Sequence, residues 1–285
     1  MNFILGVVIV FGCVFGGFVL SGGAIMSLWH PNELLVIGGA ALGAFVISNP
    51  TKLIKKVLAA TLLLFKGSKY TKQYYIDALS LLFDLLTKAR KDGIIALETH
   101  FEDPHKSDIF GKYPKVASDH HAVDFICDYL RIMVGGNMNA IELENLMDVE
   151  LETHHEEGHA PAAAMTRVSD ALPGFGIVAA VLGIVITMGA LSDGPEAIGH
   201  KVATALVGTF LGILLAYGLI GPVSTFLSHV AQDEGQFFKC LKTTLIASIQ
   251  GYAPNMAIEF GRKTIFSTER PGFKELEDSI KSKAR

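Results

Sequence analysis

The 285-residue sequence is half hydrophobic, only 18% charged, and carries a formal net charge of −4. Together with a mean hydropathy of +0.41, this excludes an ordinary soluble domain and points to an integral membrane protein. A nucleic-acid partner is also excluded, because acidic residues are mixed among the basic ones and leave no basic stripe.

From the first residue to Asn32 the side chains carry no charge apart from a titratable His30, and Phe3 to Ser21 predicts a first membrane span. A cleaved signal peptide is the alternative, disfavoured by the lack of a basic leading region and of a small-x-small cleavage site. Leu34 to Thr51 predicts a second span, in which Gly38, Gly39, Ala40, Ala41, Gly43 and Ala44 argue for tight helix packing. Thr51 to Lys66 then reads as a basic amphipathic segment at the membrane surface.

Apolar residues at helical spacing predict a helix over Tyr70 to Lys91, ended by Asp92-Gly93, and a short helix over Ile94 to Phe101. Asp103-Pro104 breaks it, and a polar stretch to Ser118 leads to a helix around Ala122 to Val134 that Gly135-Gly136 closes. Asn139 and Glu142 have the spacing of a capping box. The helix they open is expected to run to about His155 and to lead back to the membrane near Asp170.

Two long uncharged runs follow, Ala171 to Ser192 and Val202 to Phe226, separated by the polar turn Asp193-Gly194-Pro195-Glu196. Each run can cross a hydrocarbon core, which needs about 20 apolar residues, so the pair predicts a transmembrane hairpin. Pro173 and Pro222 sit near the same membrane face, and Gly208 and Gly212 have the spacing that lets helix backbones approach closely. Neither run holds an Asp, Glu, Lys, Arg or His, although ion transport through lipid usually leaves one on the path. Two readings of Thr209 stay open. Its hydroxyl bonds back to its own helix and the glycines serve packing alone, or these helices form one wall of a pathway whose ionisable group comes from a partner.

The last span is expected to continue into the tail, which has a turn at Tyr252 to Pro254, a helix near Met256 to Phe266, a break at Pro271 and a short charged helix. With no strand alternation and no repeat, the fold class is all-α. It comprises transmembrane helix pairs at 1–51 and 170–228, a helical cytoplasmic domain at 52–169 and a helical tail at 229–285. Of the 24 Lys and Arg, 14 lie from Lys52 to Arg167 and 9 from Lys239 onward, leaving Lys201 alone. The positive-inside rule places those segments and both termini in the cytoplasm. Cys13, Cys127 and Cys240 are then not expected to form a structural disulfide, and none has neighbours that suggest nucleophilic catalysis.

Two further patterns have plain alternatives. His155-Glu156-Glu157-Gly158-His159 matches the H-E-x-x-H of zinc metalloproteases, with His154 adjacent. Gly158 and Pro161 are expected to end that helix, so that the imidazoles do not share a face and the cluster is a solvated helix end. Arg90, Lys91 and Glu98 flank the bend at Asp92-Gly93; composition alone favours a solvated helical hairpin.

The stretches LFKGSKYTK, FICDYLRIMVGGNMN, LPGFGIVAAVLGIV, ALVGTFLGILLAYG and GYAPNMAIEFGRKT, in this order and spacing, resemble the flagellar motor stator A subunit family, MotA. The resemblance covers nearly the whole chain. It implies a torque-generating stator subunit in the bacterial inner membrane that performs no covalent chemistry and needs no cofactor. Its copies would form a ring, held to be a pentamer, around a dimer of a MotB-type subunit that supplies a membrane Asp and binds peptidoglycan. By position, Pro173 and Pro222 resemble the prolines that couple ion flow to shape change, Arg90 and Glu98 the charges facing the rotor switch protein FliG, and Thr209 the threonine lining the ion path. Sodium-driven relatives have a threonine at the position of Ala180, so the alanine here implies protons. The closest rival is an ExbB or TolQ type energiser of outer-membrane processes; a membrane zinc protease using His155, Glu156 and His159 is more distant.

Overall fold

The structure, a computed structural model, describes residues 2–136, 138–189 and 194–283; Asp193 of the expected turn and Ser192 at the end of the third span lie outside them. The described chain is all-α. In order, its helices are α1 (Asn2–Leu20), α2 (Pro31–Ser48), α3 (Thr51–Thr61), α4 (Leu63–Lys66), α5 (Lys72–Asp92), α6 (Glu98–Glu102), α7 (Asp108–Gly111) and α8 (Pro114–Ala117). They continue with α9 (His120–Gly135), α10 (Ala140–Met188), α11 (Pro195–Leu215), α12 (Gly221–Ile249), α13 (Pro254–Thr264) and α14 (Phe273–Lys283). Short 3-10 turns stand at Ile25–Leu28 and Ile94–Leu97. Among the described residues four helical stretches are long and apolar enough to cross a membrane: Phe3–Leu20, Ile25–Ser48, one within Ala140–Met188 and one within Lys201–Ile249.

The chain divides into two compact units, Met1–Gly67 with Glu157–Val230, and Ser68–Glu156 with Ala231–Arg285. In the first, the interior is built from Ile37, Ala41, Leu172, Ala179, Val207, Leu211 and Ala216, while large side chains such as Val8, Leu35, Ile47, Val181 and Leu206 are exposed. Large apolar side chains stand outside as well as inside, the arrangement a lipid environment permits, since lipid does not drive large side chains inward.

The second unit has the water-soluble pattern instead. Leu79, Leu81, Leu82 and Leu85 of α5 are fully buried, packed with Phe125 and Ile126 of α9 and Phe237, Phe238 and Leu241 of α12. Tyr70, Tyr74 and Tyr75 surround the Phe237 ring at centroid distances of 5.1 to 5.8 Å. The capping box forms: Asn139 Oδ1 accepts from the Ile141 and Glu142 amides at 3.0 Å, and Glu142 Oε2 accepts from the Asn139 amide at 2.9 Å.

Two expectations need correction. The helix opened by Asn139 does not stop near His155; it runs without interruption to Met188, through Pro161 and Pro173. Pro161 has no N–H for the carbonyl of Glu157, and Lys56 Nζ donates to that oxygen at 3.0 Å, which relieves the cost of an interior proline. The polar stretch before Ser118 is not plain loop. The Ser107 hydroxyl caps α7, Pro114 begins α8, and together they bury Ile109, Phe110, Tyr113 and Val116.

Ahead of α9, Asp119 accepts from Tyr74 Oη at 2.6 Å and Lys69 Nζ at 2.7 Å. Burial alone would raise its carboxyl, but the lysine and tyrosine outweigh burial and hold it below the usual carboxylate range. A depressed folded value means stability that is present above the unfolded pKa of about 3.9 and is lost as pH falls through the folded value. Asp119→Asn is therefore expected to cost about 1–2 kcal/mol at pH 7, a figure kept low because Lys69 is half exposed. Thermal unfolding of the detergent-solubilised chain checks this: the gap to the parent should narrow on acidification below pH ~3.9, and a gap that does not change with pH would mean the charge is unused.

Candidate functional site

Helices α10 and α11 meet along a seam made of glycine. A Cβ placed on Gly212 would lie 2.7 Å from the Leu172 carbonyl oxygen and 3.0 Å from Gly176 Cα; one on Gly176 would lie 3.0 Å from the Gly208 carbonyl oxygen. One on Gly183 would lie 2.8 Å from Ala205 Cβ. No larger residue fits these positions without moving backbone. Ala179 is buried against Gly208, and Ala180, next to it, is half-buried with its amide nitrogen 3.5 Å from the Gly208 Cβ position.

Thr209 follows Gly208, and its Cα is 3.3 Å from the Gly176 Cβ position. Thr187 and Thr225 donate back to the carbonyls of Gly183 and Gly221 at 2.8 and 3.2 Å, as threonines in apolar helices commonly do. Half-buried Thr209 forms no such bond among the described residues, and its hydroxyl keeps its capacity for another ligand. The seam thus sets Thr209 against Gly176, one turn before Ala180 on α10, while Ala180 itself stands against Gly208.

The prolines stand at a second feature. Between α11 and α12 the helix widens into a π turn at Ala216–Ile220, where the Gly221 amide reaches the Ala216 carbonyl. Ser169 Oγ donates to the same carbonyl at 2.9 Å, from α10, four residues before Pro173. Pro222 stands two residues past this turn and lines a cavity of about 680 Å³ with Asp170, Tyr217 and His229. A turn whose hydrogen-bond ladder is already rerouted, next to a residue lacking an N–H, is a soft point in the helix. Nothing in the spacing of Gly218, Gly221 and Pro222 distinguishes a π turn from a simple kink.

In the other unit, Gly93 ends α5 at φ 89°, a backbone conformation that favours glycine, and the Ile94–Leu97 turn leads to α6. Arg90 in the last turn of α5 and Glu98 at the first position of α6 are both exposed and in no ion pair among the described residues, whereas Lys88 pairs with Asp92 at 3.1 Å. Arg90 also borders a cavity of about 510 Å³ lined by Leu86, Ile94, Met133 and Tyr252.

The His-Glu-Glu-Gly-His segment lies inside unbroken α10, so the helix end expected there is absent. His154 stacks on Phe238 at 4.8 Å and meets the His121 ring edge-on at 5.9 Å. Among the described residues no three His, Cys, Asp or Glu side chains are gathered to hold a metal ion.

One residue escaped the sequence reading. Glu33, between the first two apolar runs, lies in the first turn of α2. Its Oε2 is buried, makes no hydrogen bond among the described residues, and stands 2.9 Å from the Gly208 Cβ position. The signal available was a lone carboxylate two residues after Pro31 at the head of an apolar run.

Residues 4–93 match the family described as motility protein A N-terminal, and residues 120–239 the MotA/TolQ/ExbB proton channel family. Motility protein A of Salmonella typhimurium is 48% identical over 99% of this chain and 96% of its own length, and that of Escherichia coli 46% over 99% and 96%. This chain belongs to the motility protein A family. The flagellar MotAB stator complex from Bacillus subtilis contains a chain with the same fold, at a TM-score of 0.69 and 26% identity over 90% of this chain and 92% of that one.

For this motility protein A relative the seam yields a direct test. Gly212→Val is expected to force the helices apart at a cost of about 1–3 kcal/mol, as overpacking does. Gly174→Ala, where a Cβ meets nothing within 4 Å, is expected to be neutral. Thermal unfolding in detergent compares them; equal stability of the two variants would show that the seam is looser than described.

Proposed function

We propose that this chain is the A-type stator subunit of a bacterial flagellar motor, forming with a MotB-type partner a proton channel in the inner membrane that turns ion flow into torque. The observation that carries it is the near-full-length likeness to motility protein A joined to a seam between two runs, 171–192 and 202–226, that hold no Asp, Glu, Lys, Arg or His of their own. A partner span bearing an Asp would supply that group, sheltered inside a bundle as a mid-membrane charge requires. The match of residues 4–93 to the motility protein A N-terminal family favours this over an ExbB or TolQ type energiser. The chain performs no covalent chemistry in this reading, and a zinc protease has nothing further in its support.

In detail, the copies assemble as a homo-oligomeric ring, a pentamer by family likeness, with both termini in the cytoplasm. Segments 52–169 and 229–285 are the cytoplasmic parts, and 1–51 and 170–228 the transmembrane pairs. Pro173 and Pro222 are the points where titration of the partner's Asp bends the spans. Thr209 and Ala180 line the ion path. A sodium ion needs several oxygen ligands at once, and Ala180 offers no side-chain oxygen beside Thr209; a proton needs only a titratable group and water.

The test is complementation of a strain lacking its A-type stator subunit. Swimming is expected to return, to collapse with a protonophore and to persist without sodium, while Pro173→Ala and Pro222→Ala insert normally and give no torque. No rescue by the parent chain would refute the stator reading; speed that scales with external sodium would refute the proton assignment. Proline variants that swim normally, or that vanish from the membrane, would remove the coupling role.

Arg90 and Glu98 are the contact with the rotor switch protein FliG. Exposed pairs of this kind are each worth about 0–1 kcal/mol, so neutral substitutions should do little and charge reversal more, through repulsion. An Arg90→Glu, Glu98→Lys double variant is expected to insert normally and swim poorly. Swimming at the parental speed would count against the contact.

A further inference from the structure

Helix α2 begins at Pro31, so Glu33 lies where a carboxylate ordinarily supports a helix start by accepting from the free first-turn amides. One of its oxygens does not do so. Oε2 is shut off from solvent and without a hydrogen-bond donor among the described residues, turned instead against α11 at Gly208. A carboxylate oxygen held in that way costs free energy that neither packing nor helix capping returns. The facing helix accommodates it: a Cβ on Gly208 would come within 2.9 Å of Oε2, so glycine is what leaves room. Beside it is a cavity of about 210 Å³ lined by Glu33, His30, Gly183, Lys201 and Thr204. Thr204 and Gly208 are one turn apart on α11, and Thr209 comes next, so the cavity and the Thr209 position lie along one stretch of the same helix.

We propose that Glu33 is the outer carboxylate of the ion path: it takes a proton from hydronium in this cavity, releasing water, and gives it up to water on the way to the Thr209 region. This rests on the stator reading above and on its topology, which puts the start of α2 at the outer face. Among the described residues the other titratable or charged groups lining the cavity are His30 and Lys201, and Glu33 is the carboxylate that faces the lysine across it. A cleft of one sign raises the arrival rate of its counter-ion by about 10- to 1,000-fold; this lining is mixed, so the carboxylate acts mainly by offsetting the lysine, and its effect belongs at or below the low end of that range. Arrival limits a motor only when it turns fast; near stall the cycle approaches equilibrium and torque is set by the driving force.

The experiment compares Glu33→Gln and Glu33→Asp with the parent in the complemented strain, reading rotation speed at light load, torque near stall, and membrane content by immunoblot. Rescue by the parent tests the stator reading first and separately. Glu33→Gln is expected to lower light-load speed by about two- to tenfold with near-stall torque little changed, and Glu33→Asp to recover most of the speed. Unchanged speed in Glu33→Gln would overturn the proposal. So would Glu33→Asp being as slow as Glu33→Gln, or loss of Glu33→Gln from the membrane, either of which would make the residue architectural.

Discussion

Backbone-to-backbone contact between α10 and α11 is the constraint on which the membrane unit depends. Lipid gives no hydrophobic drive to bring two apolar helices together, so association has to come from close van der Waals contact over a length of helix. Gly176 and Gly183 on one side and Gly208 and Gly212 on the other supply it, at separations where even one methyl group would collide. The same closeness sets Thr209 against Gly176 and Ala180 against Gly208, and leaves room for the Glu33 carboxylate. In the proposed function, packing and ion passage draw on the same small residues.

The prolines show how such a fold holds helices that composition would break. Pro161 strands the Glu157 carbonyl, and Lys56, far away in sequence, donates to it. Near Pro222 the ladder shifts to a π turn, and Ser169 donates to the carbonyl of Ala216. In both places a donor from another element reaches a helix carbonyl, so the helix stays continuous while its stiffness becomes a property of the packed unit. Beside Pro222 the Ala216 carbonyl accepts both from the Gly221 amide and from a hydroxyl on a neighbouring span, and a small rotation of one helix against the other changes the second bond.

Much of this was legible in the sequence because its signals are local. Uncharged runs of span length, the Asn139 and Glu142 spacing, and Gly93 after Asp92 each act within a turn or two of chain, and the elements form where they indicate. Helix α10 was misjudged because the stabilising donor for Pro161 is Lys56, a tertiary partner no window contains. The π turn was hidden for the same reason. Helices α7 and α8 are single turns whose apolar residues are too few to set up a period. Glu33 was invisible as a site because a carboxylate at a helix start is ordinary; only the facing glycine makes its oxygen unusual. Arg90 and Glu98 came from family likeness, since exposed charges at a bend look the same whether or not a partner meets them.

The central claim is that this chain forms a wall and not a whole conduit. Proton uptake into vesicles holding the purified chain, with and without its MotB-type partner, measures it directly under an imposed pH gradient and potential. The chain alone should be as tight as empty vesicles, since one carboxylate at the head of α2 cannot serve the full thickness, and the complex should conduct and lose conduction when the Asp proposed for the partner's span is replaced by Asn. Sustained proton uptake by the chain alone would contradict the account.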